Sequence, residues 1–454
     1  MQLRPQKRKK IGNFLASSSL ALLCATTSLA KDNESPASKK NIPPSPLTEY
    51  LSPTTSAHKS WAEWSGEVGL LGYSETKGRV QAIEPALLLN AKLSDDQAWS
   101  TKLVFDSLTG ASPNGALNSE QPQTFTSPSG SETYIISPSQ QPLYNQFRDT
   151  RINLSTSWTA PLSRLWKYNL GFNGSTEYDY LSLGLNASLT KESEDKNQSW
   201  SVGLAYTSDS INPVGGVPTP LAQMRSPSQG VLRSGGSESK VTYDLLMGLT
   251  QVINHRWIIQ SNVSLGVSSG YMNDPYKFVT IFDDTNSATL GNPTSYIHEA
   301  RPRDRFKRSL FVSSKNHFKT GILTVSYRYL NDDWGLSSHT GEASFNFSLS
   351  HSWRLEPSFR YYAQSAVDFY QLALGESQQI PQEITADYRL GDLNTIAPGL
   401  KIIRKLEDSK ELSLILRYYQ QNGDISSFTP VGSQIGQDLI PKTDAYIVQM
   451  HYSF

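Results

Sequence analysis

The sequence predicts an all-β fold, a transmembrane antiparallel β-barrel of about sixteen strands within a range of roughly fourteen to eighteen. Three observations predict it. The chain opens on a stretch with the form of a secretory signal, continues in short runs that alternate apolar and polar residues, and closes on an alternating strand that ends in phenylalanine.

The signal is the first element. Arg4, Lys7, Arg8, Lys9 and Lys10 make a basic start, Ile11 to Ala25 a mostly apolar stretch, and Ser28-Leu29-Ala30 a small-residue cleavage site after Ala30. The apolar run is broken by Asn13 and by serines, so it is too short and too polar to span a bilayer as a helix. The sole cysteine, Cys24, follows Leu22-Leu23 where a lipoprotein signal needs small residues. No lipid anchor is therefore expected, and the exported chain has no thiol for disulfides or metal sites. The chain carries 41 Lys+Arg and 41 Asp+Glu, and cleavage removes five bases and no acid, leaving 36 against 41. That balance gives no basis for nucleic-acid binding.

Only 37% of residues are hydrophobic. Beyond the signal no run approaches about 18 consecutive apolar residues, which excludes helical membrane spans. Residues 31–61 are rich in Pro, Ser and Lys and have no period, as in a flexible periplasmic lead-in. The barrel is expected over 62–454.

The strands follow from period two, because successive side chains on a strand point to opposite faces. Leu181, Leu183, Leu185, Ala187 and Leu189 share one face, and Ser182, Gly184, Asn186, Ser188 and Thr190 the other. Similar faces recur at Trp166/Tyr168/Leu170/Phe172, Trp200/Val202/Leu204/Tyr206, Tyr243/Leu245/Met247, Leu323/Val325/Tyr327/Tyr329 and Leu412/Leu414/Leu416/Tyr418. A soluble sandwich would alternate in the same way. Three cues favour lipid. Trp158, Trp166, Trp200, Trp257, Trp353, Tyr418 and Tyr452 gather at strand ends, as in interfacial girdles. Short turns near 94–97, 160–164, 191–197, 252–256, 318–321, 350–352 and 406–409 alternate with long loops at 109–146, 210–238, 270–306, 367–383 and 422–442. The chain ends in Tyr446, Val448, Met450, Tyr452 and Phe454, which resembles the recognition signal of barrel assembly. Ile384, Ala386, Tyr388 and Leu390 share parity with Ile396, Leu400 and Ile402, so 384–405 is expected as one long strand.

The segments FDSLTGASPNGA (105–116), INPVGGVPTPL (211–221), GYMNDPYK (270–277) and ADYRL (386–390) resemble a family of Gram-negative outer-membrane proteins known as a domain of unknown function. The resemblance covers roughly 62–454. It implies an outer-membrane barrel and supplies no activity.

On the strands that can be phased, Lys102, Arg151, Lys167, Lys240, Lys315, Arg328, Arg354, Arg360, Arg389, Lys401 and Arg417 face the lumen, with Asp106, Asp149, Asp244, Glu342, Glu356 and Asp387. An excess of cations would attract anions, and cross-strand pairing is the competing reading. The loop motifs Asn273-Asp274-Pro275-Tyr276 and Asn331-Asp332-Asp333-Trp334-Gly335 lack the spacing of a calcium loop and read as turns. Arg301, Arg303, Arg305, Lys307 and Arg308 form a basic run that could meet lipopolysaccharide phosphates or stand as a solvated loop base. His339, near Asp332 and Asp333, is the one rim candidate for hydrolysis, and no catalytic, metal or cofactor site is expected. The expected function is a porin-like channel or transporter for a small hydrophilic solute, with anions favoured by the lumen charges. The alternative is a surface or scaffolding barrel whose long loops bind a periplasmic or surface protein. Lipid, lipopolysaccharide and the barrel-assembly machinery are the expected partners of the wall.

Overall fold

The computed structural model describes residues 63–454 apart from Asp95, Asp408, Ser409, Ser426, Ser427, Pro441 and the side chains of 145–147. The signal and the lead-in lie outside the described residues. Sixteen strands close into an antiparallel barrel, each paired with its neighbours in sequence. They are β1 Glu63–Glu75, β2 Gln81–Lys92, β3 Ala98–Pro113, β4 Leu143–Ser163, β5 Trp166–Thr176 and β6 Tyr180–Glu192. Next come β7 Gln198–Ile211, β8 Glu238–Asn254, β9 Trp257–Gly270, β10 Asp304–His317 and β11 Gly321–Asp332. The ring finishes with β12 Ser337–Ser348, β13 Trp353–Gln364, β14 Leu393–Lys405, β15 Glu411–Gly423 and β16 Thr443–Ser453.

The wall is inside out relative to a soluble protein. On β7, Trp200, Val202, Leu204 and Tyr206 are exposed while Ser199, Ser201 and Asp209 of the opposite parity are buried. The same division holds for Leu103 and Phe105 against Asp106, for Tyr243 and Met247 against Lys240, and for Tyr446, Val448 and Met450 against Gln449. Apolar side chains left outward in this pattern need lipid around them.

Aromatic residues mark the two rims. Trp64, Trp99, Trp158, Trp166, Trp200, Trp257 and Trp353 all lie toward the end of the wall that carries Phe454. Tyr206, Tyr243, Tyr327, Tyr361 and Tyr446 lie on the outward face nearer the other end. The connections at the tryptophan end are short, and five of those at the tyrosine end are long: 114–142, 212–237, 271–303, 365–392 and 424–442. The tryptophan end is therefore the periplasmic rim.

The ring closes where β1 pairs with β16 from Glu67↔Ser453 to Glu75↔Ala445. Gly66 and Phe454 then exchange both backbone hydrogen bonds at 2.9 Å. The Phe454 ring covers Gly66 so closely that a Cβ there would fall 2.5 Å from it.

The five long loops fold together. Phe278–Phe282 pairs antiparallel with Pro293–His298 and parallel with Ala373–Gly375. Gln123–Thr126 and Thr133–Ile136 form a hairpin beside them. Val279, Ile281, Ile297, Leu374, Ile384 and Ala386 pack as one buried cluster, and Phe125, Ile136 and Phe278 as another. All five residues of Phe278–Phe282 are buried, which is the signature of a strand covered on both faces.

This arrangement corrects one expectation. Residues 384–391 are not the outer half of a long strand. β14 begins at Leu393, and 384–391 runs through the folded loops, with a single 3-10 turn at Tyr388–Leu390. The period of two is real, but it sorts Ile384 and Ala386 into the loop core and Thr385, Asp387 and Arg389 into a polar cluster.

The inside-out wall makes a direct prediction. Leu204 is 61% exposed at the middle of β7, with Ala205 on the inner face. Leu204→Lys should lower unfolding stability in lipid vesicles by about 2–4 kcal/mol, and Ala205→Lys by much less. Denaturant titration of the two variants checks it, and the reverse order would turn the wall around.

Candidate functional site

Two sets of charged residues qualify as functional: one inside the loop cap and one on the inner wall. The cap set is built from two loops. Asp274 and Lys277 come from 271–277, Glu299 and Arg301 from the returning segment, and Asp387 and Arg389 from the 365–392 loop. Arg301 reaches Glu299 at 2.7 Å and Asp387 at 2.9 Å. Arg389 reaches Asp274 at 2.6 Å and Asp387 at 2.5 Å. Thr385 donates to Glu299 at 2.6 Å, the Asp274 amide also donates to Glu299, and Lys277 donates to the Pro113 carbonyl of β3. Burial drives Asp274 and Glu299 up from the ordinary carboxylate range, and it drives Lys277 down. Burial also opposes ionisation of Asp387, but the Arg389 guanidinium beside it outweighs that and holds the carboxyl well below the usual range. Three acids against three bases make a closed network with no charge left for a ligand.

The folded loops are pinned to the wall at widely separated strands. Lys277 holds β3, Tyr276 donates to Asp179 in the turn between β5 and β6, and the Tyr271 amide donates to Ser239 of β8 at 2.9 Å. The Asp368 amide donates to the Trp334 carbonyl between β11 and β12 at 2.8 Å. Arg79, between β1 and β2, donates to the Lys442 carbonyl at 2.7 Å. Attachments spaced around the ring mean that the cap crosses the outer mouth.

The wall set begins with the charges read from the sequence. Lys102, Asp106, Asp149, Arg151, Lys167, Lys240, Asp244, Lys315, Arg328, Glu342, Arg354, Glu356, Arg360, Lys401 and Arg417 sit on wall strands at inner-face positions. Asp387 and Arg389 do not; they belong to the cap network. Many wall charges pair across strands: Arg151–Asp106 at 3.4 Å, Lys167–Glu192 at 3.2 Å, Lys240–Asp209 at 3.1 Å, Arg354–Glu411 at 2.7 Å and Arg360–Glu342 at 3.2 Å.

The excess of lumen cations disappears when every strand is phased. Glu67 and Glu75 of β1, Glu84 of β2, Glu192 of β6, Asp209 of β7 and Glu411 of β15 join the inner face, as do Glu63, Glu238 and Asp332. The added bases are fewer: Lys92, Arg305, Lys307 and Lys405. The signal that could have found these acids was weak. β1 and β2 carry apolar residues on both faces, because Leu71, Tyr73, Val80, Ala82, Leu108, Ala397, Tyr419 and Ile447 form a buried apolar cluster on the inner side of the seam.

The remaining candidates dissolve on inspection. The basic run is split: Arg305 is buried against Asp332 at 2.5 Å, Arg301 belongs to the cap network, Arg303 meets Glu238 at 3.3 Å, and Arg308 lies over the Phe306 ring. Both acidic loop motifs are turns, with Asp274 accepting from the Tyr276 amide and Asp332 from the Trp334 and Leu336 amides. His339 bonds the Tyr327 hydroxyl at 2.7 Å on the outward face, away from the Asp332 that Arg305 covers. No cluster of metal-ligating residues occurs among the described residues.

The model of the family described as protein of unknown function, DUF3570, matches residues 16–454. No curated protein matches the chain. Among solved structures, the siderophore receptor PirA from Acinetobacter baumannii is 9% identical, over 87% of this chain and 60% of that one, with a TM-score of 0.41. A mutant ferric enterobactin receptor, PfeA, from Pseudomonas aeruginosa is 11% identical over the same shares, also at 0.41. Outer-membrane expressed OmpT of Vibrio cholerae is 8% identical, over 88% of this chain and 100% of that one, at 0.39. The chain spans about 60% of the length of the two receptors.

Two outcomes follow for the cap. Asp387→Ala leaves Arg301 and Arg389 facing each other without their shared carboxylate, a loss of about 3–5 kcal/mol for a broken buried pair. The outer loops should become protease-sensitive while the barrel keeps its heat-modifiable gel mobility, because the wall hydrogen bonds are untouched. His298 supplies a pH dependence. Its ring lies tilted against Phe278 at 4.9 Å, and burial, reinforced by Arg233, lowers its pKa to about 4. A depressed value means that the unfolded cap takes up the proton first. Stability is therefore full above about pH 6.5 and lost as pH falls toward 4, by about 3 kcal/mol. Loop proteolysis with an acid-tolerant protease should rise across that window, and His298→Phe should flatten the rise.

Proposed function

We propose that this chain, which belongs to the DUF3570 family of proteins of unknown function, is an outer-membrane channel or transporter for a small hydrophilic solute, closed at its outer mouth by the folded loops. The observation that carries this reading is a water-accessible charge inside the ring. Glu342 lies on the inner face of β12, opposite Arg360, and its side chain is 47% exposed. Sixteen strands enclose more volume than their side chains fill, and this carboxylate borders the unfilled part. The paired wall charges hold neighbouring strands in register and keep the interior wet, which suits a polar solute without selecting its sign.

The alternative, a scaffold that captures a partner on its outer loops, draws on Tyr178, Ile135 and Ile435, which stand exposed there. Such side chains suit a docking surface. The conduit reading accounts for more of the wall and is preferred. Neither reading needs a catalytic residue.

Planar-bilayer recording distinguishes them. The folded wild-type protein should show rare or low-conductance openings, and Asp387→Ala, with its cap loosened, should conduct several-fold more often. A folded barrel that stays silent in both forms counts against the conduit.

A further inference from the structure

Beneath the cap, three arginines on alternate strands converge: Arg328 of β11, Arg360 of β13 and Arg417 of β15. Their meeting follows from register. Arg328 faces Phe311 on one side and Thr340 on the other. Glu342, two residues along β12 from Thr340, faces Arg360. Arg360 and Ser358 face Ala397 and Gly399 of β14, and Gly399 faces Arg417. β14 thus puts only small residues between two arginine strands. The gap at Gly399 is used: a Cβ there would lie 2.8 Å from Ser358 Oγ and 3.3 Å from Arg417 Nε. Arg417 lies across β14 toward Arg360.

The charges here do not balance locally. Arg360 meets Glu342 at 3.2 Å. Arg328 is stacked over the Phe311 ring at 5.0 Å, and the Arg417 Nε is buried without a hydrogen-bond partner. Among the described residues neither has a carboxylate within ion-pair distance; Glu342 and Arg360 are the charges that act on both. Three guanidiniums therefore share one carboxylate. Elsewhere on the wall Arg151, Lys240 and Arg354 each have an acid beside them, and Lys167 shares Glu192 with Lys196 of the adjoining turn. A half-buried guanidinium without a counter-charge of its own is unfavourable, and its planar fork suits a carboxylate or phosphate. The place is also a natural stop for a solute. Tyr362 and Tyr419 are neighbours of Arg360, and Tyr388 of the cap is a neighbour of Tyr419. The trio stands at the boundary between water-accessible lumen and cap.

We propose that Arg328, Arg360 and Arg417 form an oxyanion-binding site under the cap, which takes a small solute through a carboxylate or phosphate group. The site rests on the conduit reading for its purpose and makes that reading specific.

The test is a calorimetric titration of the folded full-length protein in detergent with inorganic phosphate and, separately, succinate. Saturable binding of at least one is expected, and whichever saturates assigns the group. Arg328→Gln with Arg417→Gln should weaken that binding at least tenfold. Gly399→Val, which keeps every charge but fills the space Arg417 crosses, should weaken it too. Arg354→Gln, at the periplasmic end, should leave it unchanged. Saturation by neither anion in the wild type, or equal binding by the double variant, overturns the proposal; the wild-type titration decides alone if a variant fails to fold. Binding by a barrel that is silent in bilayers keeps the site and removes the conduit. Conductance without saturable binding does the opposite.

Discussion

Lipid offers no partner to a backbone N–H or C=O, so the wall must have no edge. Everything else in this molecule depends on the pairing of β1 with β16 that removes it. Closure with an even number of strands places both ends of the wall at one rim, which is why the tryptophans of β1, β3, β4, β5, β7, β9 and β13 form a single band there. Closure also makes side-chain parity a property of the whole ring. Once Phe454 is bonded to Gly66, a one-residue slip anywhere would turn a strand's apolar face into the lumen.

The two charged sets obey different rules because their surroundings differ. In the cap, water is largely excluded, and five ionisable side chains from two loops pair with one another while Lys277 donates to the Pro113 carbonyl. Removing one would leave buried charge behind, so the network locks the loops into one arrangement. On the wall, pairs such as Arg151 and Asp106 are partly exposed and serve mainly to match adjacent strands. The trio beneath the cap follows neither pattern, since it is neither neutralised within itself nor freely solvated.

Much of the wall was legible in the sequence because lipid and lumen impose opposite demands on alternate residues. Leu181 to Thr190, Trp200 to Thr207 and Leu412 to Tyr418 could be phased with no other information. The cap was illegible for an instructive reason. A loop segment buried between an apolar core and a salt network also alternates, so Ile384 to Leu390 carries the same period as the wall and reads as part of it. The inner-face acids were hidden differently: Glu67, Glu75 and Glu84 lie on strands whose inner residues are otherwise apolar, which erases the contrast that phasing needs. The convergence of Arg328, Arg360 and Arg417 could not be read at all, since it depends on which residues face each other across four strand pairs.

The apolar seam and the cap explain each other. A wall facing only water would have no reason to bury Leu71, Tyr73 and Ile447 on its inner side. Tyr388 of the cap is a close neighbour of Tyr73, Tyr419 and Arg79, so the folded loops rest against this part of the ring. The inner faces of β4 and β5 are different, with Asn153, Ser155, Asn169 and Asn173 hydrogen-bonded among themselves and to the wall. An apolar seat holds a body through area, with little demand on direction, whereas the polar arc offers solvent a continuous set of partners. The interior is therefore two-sided below its rim: the seam arc gives the folded loops an apolar seat, and the β4–β5 arc is hydrophilic.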